Sequence, residues 1–201
     1  MRDKIELRQT ENENRDYILS KIRDHFLDEI KKEYGKEYEI DKEIYVPFKQ
    51  IYIPKGDEIE LGIWCFKQDI CIFKTVIGGK SKNYSINIDD NKPISIKLKV
   101  SPTAALPLLI IETKMAKVNT HELLAYSEKV RMIKTIFPYC KFILLSFGEP
   151  TEKVYWHCGI FDRIISINNF EEKEIKKIID FIRVELSEVK TSIDNITKVT
   201  R

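Results

Sequence analysis

Apolar positions recur along the chain in both helical and extended patterns, so the sequence predicts helices and strands in mixed order. Near the N-terminus Ile18, Ile22, Phe26 and Ile30 recur every four residues, which predicts an amphipathic helix over residues 10–34. The pattern further predicts a strand meander over residues 43–114, a helix over 120–136, strands over 141–167 and a helix over 171–189. This order predicts an α/β fold with a central mixed β-sheet flanked by helices, in one domain that spans residues 1–201.

Several boundaries inside these segments follow from turn residues and from changes in polarity. Strands are predicted over residues 43–53, 61–66, 70–77, 94–100, 142–147, 154–157 and 164–167. The polar residues 67–69 are predicted to separate two of these strands, and residues 190–201 are predicted to form a fraying tail. A helix between two buried strands, as over residues 120–136, predicts a parallel crossover unit.

One apolar strand ends in a pair of opposite charges. Leu108 to Ile111 carries no charge and is followed by Glu112-Thr113-Lys114. Successive strand residues face opposite sides, so Glu112 and Lys114 point the same way at the carboxyl end of a core strand. Open α/β sheets place ligand sites at this end. A carboxylate for a divalent metal ion beside a lysine suits metal-assisted phosphodiester hydrolysis.

A second carboxylate in a suitable position strengthens this interpretation. Asp69 stands just before the apolar strand over residues 70–77, and a neighbouring position for the two strands would let Asp69 and Glu112 share one Mg²⁺, with Mn²⁺ as a substitute. Lys114 would orient or deprotonate the attacking water, or stabilise the charged phosphorus centre. Asp89 and Asp90, in the polar part of the meander, are the alternative carboxylates.

These residues and their surroundings resemble the PD-(D/E)xK, or restriction-endonuclease-like, nuclease superfamily. The matching residues are Asp69 in QDICIF and Glu112 and Lys114 in LLIIETK, followed by a capped helix and the strand KFILLSF. The resemblance covers about residues 10–150. It implies a restriction-endonuclease-like fold in which the aspartate and the glutamate bind Mg²⁺ and the lysine assists attack on a DNA phosphodiester. Gln68 stands where the motif has proline.

The resemblance also implies an acidic residue on the first helix, for which Glu11 and Glu13 are the candidates, although a helix-capping role explains Glu13 as well. DNA binding requires cationic or polar contacts to phosphate groups. The candidates for these contacts are Lys74, Lys80, Lys82, Lys117, Asn119 and His121. The cations of the second helix, Lys129, Arg131 and Lys134, are predicted to form a solvated face instead.

Composition adds few constraints to this picture. The chain has 201 residues, 43% of them hydrophobic and 33% charged, with a net charge of +2, so any basic surface must come from local clustering. None of the four cysteines forms a CxxC pair, no apolar run is long enough to span a membrane, and the N-terminus lacks a signal-peptide pattern. A cytoplasmic protein without a membrane partner is therefore expected.

The leading hypothesis is a Mg²⁺-dependent endonuclease that cuts duplex DNA, of the type II restriction kind. A symmetric duplex site would be cut most simply by a homodimer with one active site for each strand. A Holliday-junction or repair nuclease of the same superfamily is an alternative within the same chemistry. A non-catalytic nucleic-acid-binding module with the same fold is an alternative of a different class.

Overall fold

In the part of the chain that this computed structural model describes, the strands form one mixed sheet with flanking helices. The backbone is described for residues 2–36, 38–55, 58–77, 82–87, 93–99, 104–114, 120–148, 159–168 and 171–199. Side chains are described for residues 12–36, 38–49, 64–74, 105–114, 120–148, 159–168 and 171–192.

Three helices and seven strands make up the described part of the chain. The helices are α1 (Arg2–Tyr34), α2 (Thr120–Ile136) and α3 (Glu172–Val199). The strands are β1 (Tyr38–Lys55), β2 (Glu58–Ile77), β3 (Lys82–Asn87), β4 (Pro93–Lys99), β5 (Ala104–Lys114), β6 (Lys141–Phe147) and β7 (Arg163–Ile167). Within these residues, no helix has the length and apolar character needed to cross a membrane.

The strand order is β3-β4-β2-β5-β6-β7, and β1 pairs with β2 outside this path. Strand β2 pairs antiparallel with β1 along most of its length and antiparallel with β5 over its second half. Its first residues, Glu58 to Gly62, pair in parallel with β4. Strands β5, β6 and β7 are parallel neighbours, so the predicted parallel unit of β5, α2 and β6 is confirmed. The α/β class with a mixed sheet between helices is confirmed as well.

Two apolar cores, one on each face of the sheet, hold the helices in place. On one face, buried residues of α1 and α3 pack against the central strands, among them Ile22, Phe26 and Ile182. On the other face, Leu123, Val130 and Ile133 of α2 are among the residues that complete the second core. Five successive residues of β6 are buried, because both of its faces are covered.

The first helix keeps its predicted end but begins earlier than predicted. Gly35 adopts a φ of 110°, a left-handed conformation that favours glycine, and its carbonyl accepts a hydrogen bond from the Tyr38 amide at 3.2 Å. The helix starts at Arg2 rather than at residue 10. No glycine or proline interrupts the polar segment before residue 10, so nothing in its sequence stops a helix there.

The predicted break in the meander is wrong, because β2 runs without interruption from Glu58 to Ile77. Residues 67–69 stay in the strand since their backbone pairs with β1, and Lys67 opposes Tyr45 in that ladder. Backbone pairing does not depend on the polarity of the side chains. Strand β1 likewise begins at Tyr38, five residues before the predicted start.

The predicted tail is also wrong, since α3 continues through Val199. Buried positions recur along α3 as far as Val189, and the sequence beyond that point carries no helix-breaking residue before the helix ends. The predicted strand over residues 154–157 lies outside the described residues.

Substitution of Phe142 tests how much the core on the α2 face contributes to the free energy of unfolding. Its side chain is fully buried in β6, so Phe142→Ala should lower the free energy of unfolding by about 3–5 kcal/mol. Leu124→Ala, on the exposed side of α2, is the matched control and should change it by less than ~0.5 kcal/mol. Urea unfolding followed by circular dichroism measures both values. Equal losses in the two variants would contradict the assigned core.

Candidate functional site

The site lies where the pairing between β2 and β5 ends. The last pair of this antiparallel ladder at the site is Ile70 with Ile111. The next residue on each strand is acidic, Asp69 on β2 and Glu112 on β5. Strand register therefore places Asp69 and Glu112 next to each other. The negative charge of Asp69 acts on the carboxyl group of Glu112.

Asp69 takes the place of a backbone acceptor at the end of the ladder. Its Oδ2 accepts hydrogen bonds from the Thr113 amide at 2.7 Å and from the Thr113 hydroxyl at 2.6 Å. Its Oδ1 pairs with the guanidinium of Arg15, which reaches in from α1. Arg15 also donates through Nε to the Thr113 hydroxyl at 3.0 Å. Asp69, Thr113 and Arg15 thus form one connected unit that joins α1 to both strands.

Glu112 is almost completely buried, with 4% of its surface exposed. Its Oε1 accepts a hydrogen bond from Lys129 Nζ of α2 at 2.5 Å. Burial raises the pKa of Glu112 to about 7, against the lowering effect of the Lys129 charge, and the nearby negative charge of Asp69 adds to the rise. A carboxyl group with such a pKa is typical of functional sites, although buried ion pairs also produce it.

The α2 helix supplies two more polar groups to the same region. Glu122 accepts a hydrogen bond from Lys114 Nζ at 2.5 Å, which links the end of β5 to the first turn of α2. Burial raises the pKa of Tyr126 to about 12, and the charges of Glu112 and Asp69 add to this effect. The negative charges of Glu112 and Asp69 therefore act on the Tyr126 hydroxyl group, which keeps its proton at neutral pH.

Strand β1 is irregular directly opposite Asp69. Lys42 pairs with Ile70 and Ile44 with Gln68, so the residue between them, Glu43, faces Asp69 across the ladder. Glu43 has a φ of 59°, which is unfavourable for a residue with a side chain. Backbone strain of this kind is found preferentially next to functional sites.

The other predicted residues differ in their surroundings and in whether the structure describes them. Glu13 is exposed on α1, and Arg15 two residues later is the α1 side chain that contacts the site. His121 is exposed near the start of α2, and Lys74 lies 5.7 Å from the Tyr38 ring. Lys82 begins β3, where only the backbone is described. The predictions for Lys80, Asp89, Asp90, Lys117 and Asn119 lie outside the described residues.

The predicted solvated face of α2 is wrong for two of its three cations. Lys129 contacts Glu112, and Lys134 pairs with Asp162 at 2.6 Å. Arg131 alone of the three is well exposed, as predicted. The cause is the buried carboxylate of Glu112 and the partly buried carboxylate of Asp162, which a helical pattern by itself does not reveal.

Sequence reasoning missed the contributions of Arg15, Thr113, Glu122, Tyr126 and Lys129. The last three had a signal, because spacings of four and three residues place them on one side of α2. This helix follows directly on the predicted Glu-x-Lys strand, so its polar stripe could have been assigned to the site. Arg15 had no such signal, since its partner is distant in sequence and only tertiary packing brings the two together.

The oxygen atoms of the site are of the kind that Mg²⁺ selects. Mg²⁺ is commonly held by one or two carboxylates together with water, and Asp69 and Glu112 supply two. Gln68, the residue before Asp69, is buried, and its Oε1 accepts no hydrogen bond from any described residue. Among the described residues, no group of three or more His, Cys, Asp and Glu side chains comes together. Asp69 and Glu112 are thus the two acidic groups of the described site that could contribute oxygen atoms to a cation.

A functional assignment rests on this geometry and on the sequence resemblance carried by Asp69, Glu112 and Lys114. No known protein-family model matches the chain, and no curated protein is significantly similar to it. The residues of the site must therefore be tested directly.

The pKa of Glu112 predicts how stability depends on pH. Because the folded state holds the Glu112 proton up to about pH 7, this group stabilises the fold most below its ordinary pKa near 4.5, and the contribution is lost as pH rises through 7. The free energy of unfolding of the wild type, relative to Glu112→Gln, should fall by ~1–3 kcal/mol between pH 4.5 and 7.5. Urea unfolding at a series of pH values measures this difference. Glu128→Gln, on the exposed side of α2, is the control, and parallel curves for the wild type and Glu112→Gln would contradict the burial of an acidic proton.

Proposed function

We propose that the protein is a Mg²⁺-dependent endonuclease that hydrolyses phosphodiester bonds in DNA. The observation that carries this proposal is the pair of carboxylates, Asp69 and Glu112, on neighbouring strands where their ladder ends. Cations from both faces of the sheet contact the pair, Arg15 from α1 and Lys129 from α2. Acidic oxygens for a metal ion and basic groups for a phosphate anion are what this reaction requires.

The reaction would join the oxygen of a water molecule to phosphorus and break the bond between phosphorus and a sugar oxygen. The water loses a proton and the leaving oxygen gains one, so the products are a phosphate monoester and a hydroxyl group. Asp69 and Glu112 would hold Mg²⁺, which supplies positive charge to polarise the phosphate group. Mn²⁺ should substitute for Mg²⁺, since both select oxygen ligands.

The remaining groups of the site have roles that follow from their contacts. Arg15 and Thr113 fix the Asp69 carboxylate through three hydrogen bonds besides the contact between Arg15 and Thr113. A ligand fixed in this way loses less conformational freedom when it binds a cation. Tyr126, protonated at neutral pH, is a hydrogen-bond donor available to an anionic oxygen beside Glu112.

Duplex DNA is the proposed substrate, and a homodimer is the proposed assembly. A restriction-endonuclease-like fold and duplex DNA as substrate follow the resemblance of the residues around Asp69 and Glu112. A homodimer would place one site on each strand of a symmetric duplex. A junction or repair nuclease would use the same chemistry on branched DNA. Phosphate contacts from Lys74, Lys82 and His121 would serve either substrate.

The second candidate is a nucleic-acid-binding module without catalytic activity. It is favoured by the ion pairs of Asp69 with Arg15 and of Glu112 with Lys129, because these pairs compensate both carboxylates within the protein itself. A buried charge that has lost its catalytic role still requires such a partner. The two candidates differ in whether divalent cations change the protein and its substrate.

Cleavage of supercoiled plasmid and of four-way-junction DNA, with Mg²⁺, Mn²⁺ or EDTA, tests the proposal. The wild type should cut in either metal ion and not in EDTA. Glu112→Gln and Asp69→Asn should each reduce kcat by ~100-fold or more, equivalent to about 3 kcal/mol of transition-state stabilisation. Glu128→Gln, on the exposed side of α2, should cut like the wild type.

Cutting confined to the junction would assign the branched substrate rather than the duplex. Binding of these DNAs without cleavage, unaffected by metal ions, would refute the nuclease and support the binding module. Equal cutting by the wild type and by both acidic-site variants would indicate a contaminating nuclease and would contradict the site.

A further inference from the structure

Two lysines lie close to Glu112, and they have different partners. Lys114 follows Glu112 by two residues on β5 and is the lysine of the Glu-x-Lys pattern. Lys129 comes from the middle of α2, on the helix that covers this face of the sheet. Only one of them contacts the carboxylate, so sequence spacing and spatial arrangement point to different residues.

Lys114 is engaged with the first turn of α2. Its Nζ lies 2.5 Å from Glu122 Oε1, and both side chains are partly buried. The contact joins residues only eight positions apart, at the end of β5 and the start of α2. A link of this kind fixes where the helix begins relative to the strand, which is a structural task.

Lys129 is held at three points around the site. Its Nζ donates to Glu112 Oε1 at 2.5 Å and to the backbone carbonyl of Lys67 at 3.3 Å, and it lies 5.8 Å from the centre of the Phe66 ring. Glu112 belongs to β5, whereas Phe66 and Lys67 belong to β2 close to Asp69. The ammonium group is therefore placed between the two strands that carry the two carboxylates.

The burial of Lys129 supports a specific task. Its side chain is only 15% exposed, whereas a lysine on a helix usually extends into water. A lysine side chain loses up to ~2 kcal/mol of conformational entropy when it is held in one position. The protein nevertheless holds this ammonium group beside a buried carboxylate, with a backbone carbonyl as a further acceptor.

We propose that Lys129, rather than Lys114, is the lysine that acts with Glu112. It would serve as a positioning residue that orients the Glu112 carboxylate and places a positive charge where a phosphate group approaches the site. This inference rests on the proposed nuclease function for its phosphate partner. Its structural part, the control of Glu112 by Lys129, is independent of that function.

The proposed reaction requires a positive charge such as the ammonium group of Lys129. Negative charge on the phosphate oxygens must be stabilised as the attacking and leaving oxygens exchange places, and a fixed ammonium group stabilises it without reorganising in the transition state. A lysine from a packed helix supplies this charge as well as a lysine from the strand does, because the position of the charge matters and its place in the sequence does not.

The test compares Lys129→Met, Lys129→Arg and Lys114→Met in the Mg²⁺-dependent cleavage of plasmid DNA. Lys129→Met should lower kcat by about 100-fold with KM changed less than about threefold, and Lys129→Arg should recover part of the loss. Lys114→Met should lower kcat far less and should lower the melting temperature as much as Glu122→Gln does. Lys177→Met, an exposed lysine on α3, is the control for loss of a positive charge.

A loss of kcat in Lys114→Met that equals or exceeds the loss in Lys129→Met would overturn the inference. A wild type that cuts no DNA would instead refute the nuclease function, and calorimetric titration with Mn²⁺ would then decide the role of Lys129. Lys129→Met should tighten Mn²⁺ binding about tenfold, because a unit charge next to Glu112 is removed. Lys114→Met should change the Kd less than about twofold, and equal shifts in the two variants would overturn the inference.

Discussion

The architecture of the site depends on one interaction, the acceptance by the Asp69 side chain of hydrogen bonds from the amide and hydroxyl of Thr113. A side-chain carboxylate at the end of the ladder between β2 and β5 satisfies a backbone donor of β5. It also introduces a negative charge next to Glu112. Each of the two carboxylates has a cationic partner from a helix. Arg15 from α1 neutralises Asp69 on one side, and Lys129 from α2 neutralises Glu112 on the other. Two helices on opposite faces of the sheet are thus tied to the same pair of strand residues.

Two unlike explanations account for this compensation, and their physical consequences differ. In a structural network, the four charges satisfy one another and the arrangement is complete. A buried pair of this kind contributes little net stability, because removing the charges from water offsets their attraction. In an active site, the same carboxylates exchange part of their contact with Arg15 and Lys129 for a cation and a phosphate group. The raised pKa of Glu112 shows that burial outweighs the stabilising effect of Lys129 on its charge. A divalent cation would supply the missing stabilisation.

Much of the fold was accessible from sequence, because apolar periodicity reports directly on which side of an element is buried. The helix over residues 120–136 was predicted at its observed limits, and the strand that follows it was predicted to within one residue. The errors occurred where backbone pairing overrides side-chain polarity. Polar residues 67–69 stay within β2 because β1 pairs with that strand along most of its length, and a single strand's sequence does not reveal its partner. The end of α3 was misplaced because helix-forming residues continue beyond the buried face.

The candidate site was predictable in its acids and unpredictable in its cations. Asp69 and Glu112 stand at the ends of apolar runs, and the neighbouring position of their strands required only that the meander fold back on itself. Arg15 and Lys129 become relevant only through the packing of two helices on the sheet, at sequence separations of 54 and 17 residues from their partners. Helical spacing identified Lys129 as part of a polar face without showing that this face meets a buried carboxylate.

The most direct measurement is X-ray diffraction at the manganese absorption edge, from crystals of the protein grown with Mn²⁺. A metal site at this point should give an anomalous peak contacted by carboxylate oxygens of both Asp69 and Glu112, and no peak at that position in crystals of Asp69→Asn. Ordered density in which Arg15 and Lys129 keep both carboxylates, with no manganese between them at millimolar concentration, would contradict a metal site and leave the four residues as a structural ion network.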